Sequence, residues 1–167
     1  SKKISEEIII KNLKKFVIFK ISWLIGEHSN NFLNKIFKAF NNHKLYMVED
    51  QYSNPTVTKL ITRITKISCE NVFRNKNILN GIFHLSSEPA ISKLDFTKYV
   101  YAKSKKLKLI KSNCQIIGIK SSKIKNIVKR PSNSSFNINK IKNKLEVKDY
   151  KWANKIKSIL ININDKK

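Results

Sequence analysis

The sequence predicts an α+β fold: a small, mainly antiparallel sheet with helices packed on one face, plus an N-terminal helical extension. Three observations lead there. Of the 167 residues, 41% are hydrophobic, enough to bury a core. Segments with apolar residues at helical spacing are interspersed with segments rich in Thr and Ile, in the order α-α-β-α-β-β-α-β. Lys and Arg outnumber Asp and Glu by 35 to 11, a net charge of +24, so lysines must cover whatever surface the core leaves open.

The elements follow in chain order. Ser5 before Glu6 and Glu7 suits a helix N-terminus, and Ile9, Leu13, Phe16 and Val17 recur at helical spacing, as do Trp23 and Leu24. Phe16–Ile25 is strongly apolar but too short to span a membrane, and no secretory cleavage pattern accompanies it. Gly26 ends this helix, and Asn30 or Asn31 caps the next, whose Phe32, Leu33, Ile36, Phe37 and Phe40 form a core stripe. Leu45–Val48 is a short apolar link, and Asn54-Pro55 an extended step. Lys59–Ser68, rich in Thr and Ile, is expected as a strand, and Asn75–Leu85 as a helix that Pro89 closes off. Tyr99–Ile110 alternates aromatic, apolar and Lys residues and is expected as a hairpin bending near Ser104–Lys106. Gln115–Lys120 is a clearer strand. A short helix is expected over residues 123–128, a loop over Pro131–Ser135, and a final strand over Ile159–Ile163.

Catalytic signatures are absent. No phosphate-binding glycine loop or nucleophile elbow occurs, and the chain holds three glycines: Gly26, Gly81 and Gly118. Cys69 and Cys114 form no paired motif, and His28, His43 and His84 have no metal-ligand spacing. The expectation is a protein that is not an enzyme, with no catalytic residue, metal or cofactor. The charge points instead to a polyanion: nucleic acid first, an anionic membrane second. Only Arg63, Arg74 and Arg130 are arginines, which favours neutralising phosphates over reading base edges.

Several short motifs stand in a definite order. Tyr52-Ser53-Asn54-Pro55 is an Asn-Pro turn, followed by the Lys/Ile-rich Lys59–Ile67 and by Asn75-Lys76-Asn77-Ile78-Leu79. Ser86-Ser87-Glu88-Pro89-Ala90-Ile91-Ser92-Lys93 forms a step, then come Ile117–Ser121 with residues 123–128, and finally Tyr150–Ile161. This order resembles the large-subunit ribosomal protein five family, found in the central protuberance with 5S rRNA. The step carries Ser86, Ser87 and Glu88 where that family has Gly-Gln-Lys. The resemblance divides the chain into a helical extension (1–30), an α+β core (31–129), a shortened variable linker (130–148) and a C-terminal loop and strand (149–167). With the drift and the AT-type composition, it implies a mitochondrial ribosome.

The resemblance therefore implies a structural constituent of the large ribosomal subunit. Its partners would be rRNA, including 5S rRNA where present, neighbouring large-subunit proteins and a small-subunit head protein. No small-molecule substrate is expected. The RNA-binding candidates are Arg63, Lys93, Lys98, Lys103, Lys105, Lys106, Lys108, Lys111, Lys120 and Lys123, with Tyr99, Tyr101 or Trp152 stacking on bases. Ser86, Ser87, Glu88 and Lys93 would form a loop facing peptidyl-site tRNA. The alternative is a basic, membrane-docked or interaction subunit of an organellar complex using residues 8–25.

Overall fold

The computed structural model of the chain describes residues 2–28, 30–74, 79–124 and 130–165. In order the elements are α1 (Lys2–Asn12), β1 (Val17–Ile21), β2 (Leu24–Ile25), α2 (Phe32–Ala39), β3 (Lys44–Val48), β4 (Tyr52–Ser53), β5 (Thr56–Val57) and α3 (Thr58–Phe73). They continue with β6 (Gly81–Leu85), β7 (Ile91–Ser92), α4 (Lys93–Lys106), β8 (Gln115–Ile119), α5 (Asn139–Lys142) and α6 (Ala153–Asn164). A 3-10 turn, Ser121–Lys123, follows β8.

The mainly antiparallel sheet is overturned. Among the described residues the strands pair two by two, and three of the four pairs are parallel. β1 runs beside β6 from Val17↔Gly81 to Ile21↔Leu85, and β3 beside β8 from Lys44↔Gln115 to Val48↔Ile119. β2 and β5 pair through Leu24↔Thr56 and Ile25↔Val57. β4 with β7 is the antiparallel pair. Parallel neighbours need long crossovers, and the helices α2, α3 and α4 lie within them.

Several elements exchange identity for one reason: burial, not propensity, selects the period. The expected strand Lys59–Ser68 is the middle of α3, because Leu60, Ile64 and Ser68 are buried at i, i+4 and i+8 while Thr62 and Thr65 stay outside. The expected hairpin at 99–110 is mostly α4. There Phe96, Val100 and Ser104 form a buried i, i+4, i+8 row, and the Ser92 hydroxyl accepts from the Asp95 N–H as a cap. The expected last strand is α6, which buries Ile156, Ile159, Leu160 and Ile163 on one side. In the other direction, the expected helix at 75–85 ends in β6, and the apolar run 16–25 holds β1 and β2 instead of continuing a helix. Leu45–Val48 is strand, not link. Residues 75–78 and 125–128 of two expected helices lie outside the described residues.

Two expectations hold in detail. α2 is capped by Asn31, whose side chain accepts from the Asn34 N–H, and it buries Leu33, Ile36 and Phe37. β8 occupies nearly the whole of 115–120.

The core brings these faces together. Phe37, Phe40, Phe83, Phe96, Leu33, Ile64, Leu85 and Ile156 are fully buried. α4 lies on the β3–β8 pair so closely that a Cβ on Gly118 of β8 would come within 2.8 Å of the Leu94 side chain and also collide with Glu49. Strand ends are fixed by this packing, and so are the loops that leave them.

Candidate ligand-binding site

In sheets of parallel strands, ligand sites gather at the carboxyl ends, where the connecting loops converge. Here the segments leaving β1, β3 and β6 interlock at that edge. Ser22, just after β1, shares a 2.6 Å hydrogen bond with Ser53 of β4. Tyr52 and Ser53 pair with Ser92 and Ile91 of β7. The Asn54 amide donates to the Ser87 carbonyl at 3.0 Å, and the Val57 N–H donates to the Ser87 hydroxyl at 3.2 Å. Behind β8, Asp50 accepts from the Ser121 N–H and hydroxyl. Burial pushes the Asp50 carboxyl up, but the Ser121 bonds, with Lys120 nearby, outweigh it and hold the carboxyl below its usual range.

A distant segment completes the site. The Tyr52 N–H donates to the Ser132 carbonyl at 2.7 Å, and the Ser134 N–H donates to the Tyr52 carbonyl at 3.0 Å. The Phe136 N–H donates to the Asn54 side chain at 2.7 Å. These bonds lash residues 132–136 across β4, close behind Arg130 in the chain.

Trp23 lies between β1 and β2, half-buried, with its ring centre 5.6 Å from Phe32 and 6.5 Å from Phe96. Phe32 stacks on Phe96 at 6.0 Å. The indole is thus held from behind by two aromatic rings. Lys93, the first residue of α4, is half-buried and sets its ammonium 5.9 Å from the Trp23 ring centre. Burial pushes the Lys93 amine below its ordinary value, and the Arg130 charge pushes it further the same way. Among the described residues neither Lys93 nor Arg130 has a carboxylate within ion-pair distance. A half-buried cation beside an apolar ring, with a second positive charge acting on it, makes an edge of uncompensated positive potential, the chemistry that receives a phosphate or diphosphate.

Of the sequence candidates, Lys93 alone belongs to this cluster. Lys98, Lys103, Lys105 and Lys106 lie on α4, and Lys108 and Lys111 on the segment after it, not on a sheet face. Lys105 donates to the Lys111 and Ser112 carbonyls and to Asn113, tying down the exit from α4. Lys120 pairs with Glu49 at 3.3 Å, Lys123 sits on the 3-10 turn, and Arg63 on the exposed side of α3. The proposed base-stacking aromatics are packing residues. Trp152 is 3% exposed, edge-on to Phe96 and Tyr99, with its indole N–H donating to the Pro89 carbonyl, and Tyr101 packs on Phe40. Of the residues expected to face tRNA, Ser86 and Ser87 are buried, Glu88 pairs with Lys142 at 2.9 Å, and Lys93 lies beside Trp23.

Trp23, Arg130 and Tyr52 were not singled out by the sequence. Trp23 reads as one more apolar position of a helix, and Arg130 as the edge of a polar linker. The available signal is positional: Ser22-Trp23 directly follows a β-branched run, and Arg130-Pro131 opens a Ser/Asn segment that cannot be core.

The comparisons with known proteins overturn the ribosomal reading. A family model described as the RmlD substrate binding domain matches residues 1–164. A dTDP-4-dehydrorhamnose reductase from Aggregatibacter actinomycetemcomitans is 26% identical over 160 residues, 95% of this chain and 54% of that protein. The crystal structure of a dTDP-4-dehydrorhamnose reductase ortholog from Clostridium acetobutylicum aligns with a TM-score of 0.78 at 21% identity, over 96% of this chain and 53% of that one. The enzyme from Bacillus anthracis in complex with NADP aligns at 0.77 and 20% identity, over 96% and 53%. The chain thus has the Rossmann-like fold of such reductases and epimerases, and it spans about half the length of the curated relatives it matches.

The likeness to the ribosomal protein five family, the structural role in a large subunit, and the partners drawn from it are therefore corrected: rRNA, 5S rRNA, tRNA and ribosomal neighbours are replaced by relatives named for a sugar-nucleotide reaction. The expectation of a non-enzyme falls with them, since the relatives are reductases. A mitochondrial ribosomal location loses its ground, because the matched relatives are bacterial enzymes. The Asn-Pro turn and the step after β6 are real features. They recur wherever a loop must leave a strand and cross to its neighbour, so their order alone did not distinguish the families.

Proposed function

The chain belongs to the RmlD substrate binding domain family, and from that premise we propose that it binds a nucleoside-diphosphate sugar for a reductase of the dTDP-4-dehydrorhamnose type. The observation that carries this reading is the half-buried Lys93 ammonium set beside Trp23 at the carboxyl edge of the parallel strands, with the Arg130 charge acting on it. The two cations receive the diphosphate, each as a charge-assisted donor. Trp23, braced by Phe32 and Phe96, supplies the apolar wall that orients the attached rings. Tyr52, half-exposed, anchors residues 132–134, the segment that follows Arg130, through its backbone N–H and carbonyl.

A nicotinamide dinucleotide is the reductant that such a fold calls for, and the residues present do not form its pyrophosphate cradle. That cradle needs glycines in a strand-to-helix turn. Here a single glycine, Gly26, lies between a strand and a helix, and a Cβ added to it would meet the Thr58 side chain at 2.6 Å; Gly118 lies inside β8, and Gly81 opens β6 at φ +103°. These 167 residues therefore supply binding and orientation of the sugar nucleotide, and no hydride step is routed through them.

Titration of the chain with dTDP, followed by tryptophan fluorescence, tests the reading. Saturable quenching is expected, lost in Lys93→Met and Arg130→Ala. Equal quenching in the parent and both variants would sink it.

A further inference from the structure

β1 has one partner strand among the described residues. The Gly81 N–H donates to the Phe16 carbonyl at 2.7 Å, and the parallel register runs from Val17↔Gly81 to Ile21↔Leu85. Successive residues of such a ladder turn their backbone groups to opposite sides. Ile18 and Lys20 therefore serve β6, and Val17, Phe19 and Ile21 turn their N–H and C=O groups to the other edge. No strand lies along that edge among the described residues. The far edge of β6 differs: α5 packs against it, and the Lys140 ammonium donates to the Ile82 carbonyl at 2.8 Å.

Helices flank the open edge on both faces. Val17 and Phe19 form with Cys69, Val72 and Phe73 of α3 an apolar cleft of about 370 Å³. Side chains alternate along a strand, so Lys20 points the other way, and its ammonium pairs with Glu6 of α1 at 2.8 Å. The outer parts of both helices are apolar and uncovered. Val72 and Phe73 are exposed at the end of α3, and Ile4 and Ile8 stand one turn apart on α1, which buries none of its residues. A free strand edge between two apolar helix flanks is the cross-section of a three-layer α/β body. A lone peptide strand would fill only the middle layer, and two strands by themselves make a marginal sheet.

We propose that the open edge of β1, with its α1 and α3 flanks, receives a dinucleotide-binding α/β half that adds a strand parallel to β1. Two further observations name this occupant. The pyrophosphate cradle is missing from these residues, and the matched relatives extend well beyond the length this chain covers. The inference rests on the sugar-nucleotide reading above. A strand added parallel to β1 ends at the same carboxyl edge as Trp23 and Lys93. A dinucleotide held by the incoming half at its own carboxyl edge then lies beside the sugar nucleotide held here. The surface thus supplies what the glycines of this chain do not.

The test uses the intact 167-residue chain. The probe is the part of the Aggregatibacter actinomycetemcomitans relative that this chain does not match, co-expressed as a separate polypeptide. The two should purify as an equimolar complex. Amide exchange at Val17, Phe19 and Ile21 should be rapid in the chain alone and slow by about tenfold or more in the complex. Val17→Pro removes a donor from the open edge and leaves the β6 ladder intact. Val72→Lys with Phe73→Lys charges an exposed flank and keeps the fold even if Val17→Pro does not. Each variant should weaken the complex roughly tenfold while keeping the fluorescence response to dTDP. Separate purification of the two polypeptides, slow exchange of those amides in the chain alone, or undiminished association of the double variant overturns the proposal. A dimer of the chain alone that Val17→Pro dissociates assigns the edge to a second copy and also overturns it. An intact complex without a dTDP response supports the docking surface and sinks the sugar-nucleotide reading instead.

Discussion

The Lys93 ammonium stands 5.9 Å from the centre of the Trp23 ring, although 70 positions of sequence separate the two residues. β1 and β6 produce this meeting by running parallel: one releases Trp23, and the other leads through β7 into Lys93 at the start of α4. Most of the function proposed for this chain depends on that juxtaposition.

Its loss is measurable. Replacing Lys93 by Met keeps the stem that packs beside the indole and removes the charge. A charge-assisted bond to phosphate is worth about 1.5–3 kcal/mol, so affinity for dTDP should fall roughly 10- to 100-fold, with far-UV circular dichroism unchanged. Arg130→Lys should recover only part of what Arg130→Ala loses, because a point charge cannot form the two-pronged bond.

The same pair sets a pH dependence. Burial and then Arg130 hold the Lys93 amine below the usual lysine value of roughly 10.4. The binding form is protonated, so affinity for dTDP should fall as the pH rises through the lowered value. Anion binding favours the charged form, so binding in that range should take up protons. Lys93→Arg should remove the alkaline fall, and isothermal titration in buffers of different ionisation enthalpy reads both effects.

Asp149 gives an acid limb of stability. Its hydrogen bond with Lys155, chiefly, holds the carboxyl below the ordinary value of roughly 3.9. A group depressed in the folded state contributes stability above its unfolded value and loses it as the pH falls through the folded one. Denaturant midpoints of the parent and Asp149→Asn should therefore differ at pH 6 and converge toward pH 2.

Phe96 is the packing residue to test. It is fully buried and touches Phe32, Trp23 and Trp152. Phe96→Ala should cost about 3–5 kcal/mol. It should also loosen Trp23, so that a fluorescence change in the folded variant accompanies a weaker response to dTDP.

Gly118 tests the seating of α4. A methyl there meets Leu94 at 2.8 Å and the Glu49 carboxylate, so Gly118→Ala should destabilise by about 1–3 kcal/mol through overpacking. A thermal melt of the two proteins checks it.

Some of this was legible in the residues. The Asn31 cap with the Phe32–Phe40 stripe determined α2 by itself, because capping and i, i+4 burial are local rules. The β-branched run at 115–119 determined β8 in the same way. The net charge of +24 pointed to a polyanion, and its reading as rRNA is overturned by the relatives. Arg130, Lys93 and Trp23 were each present, but nothing local marked them as neighbours.

Tertiary structure decided the rest. Thr and Ile in 59–68 favour a strand, yet Leu60, Ile64 and Ser68 are buried together only on a helix, and the gain from that burial exceeds the propensity difference. The alternation of aromatic, apolar and Lys residues in Tyr99–Ile110 suggested a hairpin, but Phe96, Val100 and Ser104 face the core along one helical row. Whether strands pair parallel or antiparallel depends on which strand lies alongside, not on any single strand's residues. That choice placed Trp23 and Lys93 at one edge. Their meeting depends on residues tens of positions apart, which a local pattern cannot encode.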